Sequence, residues 1–321
     1  MSAKVVDAAD VAAPFVAELK QKIAALKGPV PVLVGFLAND DKAARKYAEW
    51  TAKTCAATGV RFELRECQRT ELEDKIIEAN EDDNVHGIMV YYPVFNGSQD
   101  QYIQNTVSYK KDVEGLCHKY VYNMYHNIRF LDEAQTQKCI IPCTPLAILK
   151  ILEYVGVYNP ILPYGRRLHG RVITVINRSE HVGRPLAALL ANDGAKVYSV
   201  DENGTMEFHR GEGLKFEKHV EVESATTLTE ALPQSDVVIT GVPARSYRVP
   251  TSQLKEGVIA INFSGSKNFE EEELKQKASI FVPSVGKVTV AMLERNLMRL
   301  HEYLEKDKEA RSSNSGKETS A

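Results

Sequence analysis

The feature that most constrains this chain is the alternation of short, β-branched apolar runs with segments of helical periodicity. Pro31–Leu37, Gly87–Val94, Val172–Asn177, Lys196–Val200, Asp236–Thr240, Val258–Phe263 and Ile280–Val282 read as strands. Between them, Val11–Leu26, Lys42–Thr58, Pro145–Tyr154, Arg184–Asn192 and Val290–Leu304 space their apolar residues as helices do. Strands alternating with helices imply βαβ units and a parallel sheet, hence an α/β fold.

A length of 321 residues fits two such domains. The segment Tyr154–His169, broken by Gly156, Pro160, Pro163 and Gly165, marks a boundary between two α/β halves. Two stretches lack signals. Glu202–Ser224 is long and polar for a connection between strands and reads as a surface insertion. The charged, Ser- and Lys-rich segment 306–321 reads as a disordered tail.

Composition narrows the partners. With 44% hydrophobic and 26% charged residues the chain can build a core without metals or disulfides. A net charge of −3 supplies no field for nucleic acid or an anionic membrane surface. No window approaches the ~18 apolar residues of a membrane span. The first residues carry Asp7 and Asp10 and no apolar core, so a cytoplasmic setting is expected. The five cysteines, Cys55, Cys67, Cys117, Cys139 and Cys143, have no ligand spacing and read as core thiols in a reducing compartment. His181 reads as a solvated loop residue, and His209 and His219 lack ligand-like neighbours, so no metal is assigned.

The segment VITVINRSEHVGRPLAALLANDGAKVYSVD carries the strongest chemistry. A buried strand, Val172–Asn177, enters a turn at Arg178–Val182, and a helix starts around Gly183–Pro185. Pro185 suits a first helical turn, where its missing donor costs nothing. Ser179 and Gly183 are small enough for a backbone to approach a pyrophosphate at a helix N-terminus. Asp201 ends the next strand 22 residues after Ser179, where an acid accepts from the adenosine ribose and repels a 2′-phosphate. Gly241, Val242 and Pro243, and then Asn262, follow later strands at the end where open α/β sheets bind ligands.

At this point a resemblance carries further. NRSEHVGRP (Asn177–Pro185) resembles the G-R-S-x-x-V-G-x-P turn of the methylenetetrahydrofolate dehydrogenase/cyclohydrolase family. IPCTPLAIL (Ile141–Leu149), KDVEGL (Lys111–Leu116) and VPSVGKVTVAML (Val282–Leu293) are similar to three further family segments, in family order. The resemblance is nearest to the family's monofunctional, NAD-dependent fungal branch. It implies a folate-binding catalytic domain over 1–147 plus 288–305, with the C-terminal helix returning to it. A Rossmann-like NAD-binding domain over 148–287 follows from the same resemblance.

The resemblance further implies oxidation of 5,10-methylenetetrahydrofolate, a reduced folate, with NAD as hydride acceptor, and a homodimer. It assigns Tyr47 to packing over the folate, Tyr91 and Pro93 to substrate contacts, and Asp112 to the pterin amine and ring nitrogen. Arg178, Ser179, Val182, Gly183, Pro185, Asp201, Gly241, Val242, Pro243, Asn262 and Thr289 are the implied cofactor contacts. Arg178 is left between a pairing with Asp201 and a pyrophosphate contact.

The departures from the family are informative. Bifunctional relatives place a Lys four residues after the Tyr; this chain has Tyr47 and Thr51, with Tyr91 in place of the family's Gln. Spacing of four keeps both side chains on one helical face while removing the amine. A threonine hydroxyl does not titrate near neutrality, so hydride transfer without cyclohydrolase activity is expected. The competing expectations are a dehydrogenase of another small substrate and a non-catalytic NAD-sensing protein.

Overall fold

The computed structural model describes residues 2–211 and 218–318. The helices are α1 (Ala8–Ala24), α2 (Lys42–Thr58), α3 (Leu72–Glu81), α4 (Ser98–Thr106), α5 (His118–Tyr125), α6 (Cys143–Tyr154), α7 (Gly183–Asn192), α8 (Leu228–Ala231), α9 (Glu271–Lys277) and α10 (Gly286–Glu318). Residues 1–13, 122–129 and 144–289 form one compact unit, and 14–121, 130–143 and 290–321 the other. The expected division assigned all of 1–147 to one domain. It differs chiefly at the N-terminus, where a short strand joins the sheet of the cofactor half.

The second of these units is built on three parallel strands, β2 (Val32–Leu37), β3 (Arg61–Glu66) and β4 (Gly87–Val90), in the order β3-β2-β4. Every residue of β2 is buried, as a central parallel strand requires. Its alternation separates two cores. Leu33 and Leu37 join a cluster with Ala48 and Cys55 of α2 and Leu293 and Leu297 of α10. Val32, Val34 and Phe36 face Leu72, Ile76 and Ala79 of α3. Gly87 lets α10 lie close on β4: a Cβ there would come within 2.6 Å of Leu297 Cδ1 and Val113 Cγ1.

The other unit carries β1 (Lys4–Val5), β5 (Val172–Ile176), β6 (Lys196–Asp201), β7 (Gly204–Arg210), β8 (His219–Ser224), β9 (Val237–Thr240), β10 (Ile259–Asn262) and β11 (Ile280–Val282). Their order is β1-β11-β10-β9-β5-β6-β7-β8. All neighbours are parallel except β6–β7 and β7–β8.

Two expectations need correction. Within Glu202–Ser224, read as a surface insertion, β7 and β8 extend the sheet as an antiparallel pair, and residues 212–217 lie outside the described residues. The two-residue turn Glu202–Asn203 brings Asp201 opposite Gly204, which takes a φ of +111°. Thr205 and Phe208 are buried, while Glu207 and Arg210 on the same strand are only partly covered, as befits a strand near a sheet edge. The tail expected to be disordered is helical as far as Glu318, with Lys110–Asp307 and Lys308–Glu305 ion pairs on its first turns. Residues 319–321 lie outside the described residues.

Candidate active site

In the three-stranded unit the expected substrate residues converge from three elements. Helix α2 opens on Asp41, whose side chain accepts from Ala43 N, and closes on Gly59 with a φ of +96°. Between these caps, Tyr47 and Thr51 share one face. The Thr51 hydroxyl is fully buried and donates to the Tyr47 carbonyl at 2.9 Å. The half-buried ring of Tyr47 meets Tyr91 edge-on at 5.9 Å. Burial raises the phenol pKa of both tyrosines, so both stay protonated.

Tyr91 follows β4, and a cis bond joins Tyr92 to the exposed Pro93. Asn39, which the sequence reading passed over, holds this loop by donating to the carbonyls of Tyr91 (2.8 Å) and Pro93 (3.0 Å). The Tyr91 hydroxyl is buried, and the neighbouring Thr51 side chain partly offsets the effect of burial on its pKa.

Asp112 is tied into its own loop. Its Oδ1 accepts from the backbone N–H groups of Glu114 (3.1 Å) and Gly115 (2.9 Å), and its Oδ2 from Cys117 N at 2.8 Å. It is buried and organises its own loop, with two backbone donors on Oδ1 and one on Oδ2. Two residues on, Glu114 is only partly covered and accepts from Val90 N at 3.0 Å through Oε2. Burial, helped by the Asp112 charge, pushes its pKa up to about 8. In sequence Glu114 looks like one more surface acid; only the fold reveals it.

Two further buried groups in this unit escaped sequence reasoning. Glu294 of α10 is fully buried, and burial raises its pKa to about 7 against the opposing effect of the neighbouring Thr58 and Cys55 side chains. His86, His301 and Glu305 bring three potential ligand atoms within 4.8 Å of one another, although 215 residues separate the two histidines. Val32 N donates to His86 Nδ1 at 3.2 Å, which puts the ring proton on Nε2 and leaves no lone pair for a metal. This chemistry fits a neutral histidine pair better than a metal site.

In the eight-stranded unit the expected cofactor residues follow the carboxyl ends of β5, β6, β9 and β10, apart from Thr289 in α10. Arg178 donates to the Ser199 carbonyl (2.7 Å) and to Asp201 Oδ1 (2.9 Å), the pairing that was one of its two alternatives. Asp201 Oδ1 also accepts from Asn203 N at 2.8 Å. Ser179 caps the turn, its hydroxyl accepting from Gly183 N at 3.3 Å and its carbonyl from Arg184 N at 3.0 Å. Gly183 is required: a Cβ there would sit 1.8 Å from the Asn177 carbonyl oxygen. Val182 is the N-cap of α7, and Pro185 occupies its first turn as expected.

Across the sheet, a Cβ on Gly241 would lie 1.9 Å from the Phe263 ring. Asn262 donates to the carbonyls of Ser264, Ser266 and Pro283, so it organises its loop. Val242 donates its N–H to Asn268 Oδ1, and its carbonyl accepts from Asn268 Nδ2 and the Ser264 hydroxyl. Asn268 is fully buried and was absent from the sequence reading. Pro243 is exposed beside it, its carbonyl accepting from the Ser266 hydroxyl. Thr289 is buried and bonds back to the Val285 carbonyl at 3.3 Å.

Comparison with known proteins agrees with this arrangement. Residues 6–114 match the tetrahydrofolate dehydrogenase/cyclohydrolase catalytic domain, and residues 142–210 the family's NAD(P)-binding domain. The chain belongs to the tetrahydrofolate dehydrogenase/cyclohydrolase family. It is 58% identical to the methylenetetrahydrofolate dehydrogenase [NAD(+)] of Schizosaccharomyces pombe, with 94% of each chain covered. The protein of that name from Dictyostelium discoideum is 48% identical over 92% of this chain and 93% of its own. The solved NAD-dependent 5,10-methylenetetrahydrofolate dehydrogenase of Saccharomyces cerevisiae superposes with a TM-score of 0.91 at 51% identity. That match covers 96% of this chain and all of the other. A bifunctional FolD protein from Oceanobacillus iheyensis is more distant, at 28% identity over 88% and 92%.

Proposed function

We propose that the protein oxidises 5,10-methylenetetrahydrofolate to the methenyl form by direct hydride transfer to NAD, without the hydrolytic step of bifunctional members. The bridging carbon loses a hydride, and its positive charge is shared by the two flanking folate nitrogens, so no base is needed. NAD, when bound, accepts that hydride at the nicotinamide ring. The protein's task is then alignment, exclusion of water and placement of charge.

Thr51 carries the reading. Cyclohydrolysis needs a group that can pass protons to and from water at the one-carbon bridge. Position 51 instead offers a sealed hydroxyl, bonded to its own helix. Tyr47 packs on the folate with Tyr91 and Pro93 alongside. Glu114, rather than Asp112, accepts from the pterin and faces the charge that develops on oxidation. On the cofactor side, Asp201 Oδ2, which takes no bond among the described residues, accepts from the adenosine ribose. The turn Ser179–Pro185, together with Gly241–Pro243, Asn262 and Thr289, shapes the rest of that site.

The test is spectrophotometric. Rapid reduction of NAD, but not NADP, with methylenetetrahydrofolate supports the reading, as does methenyltetrahydrofolate that stays stable in the enzyme's presence. Enzymatic loss of the methenyl absorbance would end it. Two finer points belong to the same reading. The edge strand β8 pairs only with β7 among the described residues and leaves Val222 45% exposed, so we place a homodimer contact there. A monomeric mass by light scattering removes it. A cytosolic setting fits five free thiols, four of them buried, and cell fractionation checks it.

A further inference from the structure

We propose that Asn177 is a positioning residue for the dinucleotide, a strut that fixes the crevice between the carboxyl ends of β5 and β9. The chain leaves β5 through α7 to β6 on one side and returns to β9 on the other. Those two ends therefore flank the point where the strand order reverses, and open α/β sheets bind dinucleotides there.

Asn177 ties together everything that borders this point. Its N–H donates to the Val200 carbonyl of β6 at 2.9 Å. Its side-chain Nδ2 donates to the Gly241 carbonyl, just past β9, at 2.7 Å. Its own carbonyl oxygen is the atom against which Gly183 opens α7. One residue thus fixes three strand ends and the helix N-terminus that faces a pyrophosphate.

The backbone adds a second, independent observation. Asn177 has a φ of +86°, a conformation that glycine adopts freely and that asparagine adopts at some cost. The family turn to which this segment is similar opens on glycine at this position. An L residue held there, with its amide bonded across the crevice, marks a site where the side chain contributes. Gly241 cannot substitute for the strut with a side chain of its own, because the Phe263 ring fills that space. Without the strut, the ends of β5 and β9 are joined by backbone contact alone, through Gly241 N and the Ile176 carbonyl at 3.1 Å.

Two variants of the full chain test this. Asn177→Gly keeps the backbone conformation and deletes the strut. Asn177→Asp keeps the side-chain shape but turns an acceptor toward the Gly241 carbonyl. Titration calorimetry with NAD alone is expected to show binding weakened by about tenfold in both, the order expected for one side-chain hydrogen bond. KM for NAD should rise in parallel, while kcat and KM for methylenetetrahydrofolate stay within about twofold of the unsubstituted values.

Binding of NAD at unsubstituted affinity by either folded variant overturns the proposal, and so do losses spread equally over kcat and the folate KM. Should Asn177→Gly fail to fold, Asn177→Asp, with a native circular-dichroism spectrum, decides alone. The proposal rests on the reading of NAD as cofactor. Failure of the unsubstituted chain to bind NAD removes that reading, whereas binding with unaffected variants removes only the strut.

Discussion

The guanidinium of Arg178 lies 2.9 Å from the Asp201 carboxylate and 2.7 Å from the Ser199 carbonyl, so the one cation of the turn Asn177–Ser179 is neutralised within the protein. An adenosine 2′-phosphate would meet a carboxylate whose partner is already engaged. A ribose hydroxyl would meet an acceptor.

Asp201→Ser should therefore shift the preference between cofactors. Loss of a hydrogen bond to a charged group predicts roughly 10- to 100-fold weaker use of NAD, with NADP gaining as Arg178 is released. Comparison of kcat/KM for the two cofactors checks this; an unchanged ratio would refute it.

Thr51→Val removes a hydroxyl whose bond is to the Tyr47 carbonyl, leaving the shape almost intact. Dehydrogenase kcat should stay within about threefold, because neither hydride nor proton passes through position 51. A loss of two orders of magnitude would make Thr51 a participant in the chemistry.

Burial pushes the Glu114 pKa up to about 8, and in the role proposed for it the charged form accepts from pterin donors. The value is raised above the ordinary carboxylate range, so the useful charge appears as pH rises through 8. The pH profile of kcat/KM for the folate should climb over that window. Glu114→Gln should flatten it, and a variant profile that still climbs would assign the titration elsewhere.

Glu294 should make stability fall with rising pH. Its pKa is raised from 4.5 to about 7 in the folded chain, so the folded form holds the proton more tightly than the unfolded one between those values. The folded state thus loses about 3 kcal/mol from this group as pH climbs from 4.5 to 7, and Glu294→Gln should recover a good part of it at pH 8 and little at pH 4. Urea unfolding at the two pH values reads the difference.

His86 acts in the opposite direction. Burial, then the neighbouring His301, Lys308 and Lys111, lower its pKa from 6.5 to about 4, while Glu305 opposes them. Below 6.5 the unfolded chain takes up the proton first, so stability is complete above that pH and declines toward 4. Protonation also breaks the bond from Val32 N. His86→Asn should flatten this acid limb of the Tm profile, and an unaltered limb would place the titration in another group.

Much of the parallel architecture was legible, because buried parallel strands such as VLVGFL and VITVI are near-continuous apolar runs. The hairpin after Asp201 was not, since β7 and β8 alternate correctly but offer only Met206 and Phe208, and Val220 and Val222, as apolar residues. Strand β3, with its pattern of Arg and Glu, was missed for the same reason. Within the site, the side chains of α2 and the cofactor turn follow from spacing along one element. Asn39, Glu114 and Asn268 depend on contacts between segments distant in sequence, and pattern within a window cannot supply those. Asp112 was legible as a residue, while its backbone partners appear only once the loop has closed.

The Glu202–Asn203 turn ends with Gly204 opposite Asp201, and the Gly204 carbonyl lies 3.4 Å from the Arg178 guanidinium. Side chains on a strand alternate, so adding or deleting one residue in that turn would rotate Phe208 out of the core and move Gly204 away from Arg178. The nucleotide preference of this protein is therefore written partly in a length. A lineage that altered this loop by one residue would meet a folding defect before it explored a new cofactor, which ties the evolvability of the site to the integrity of the sheet.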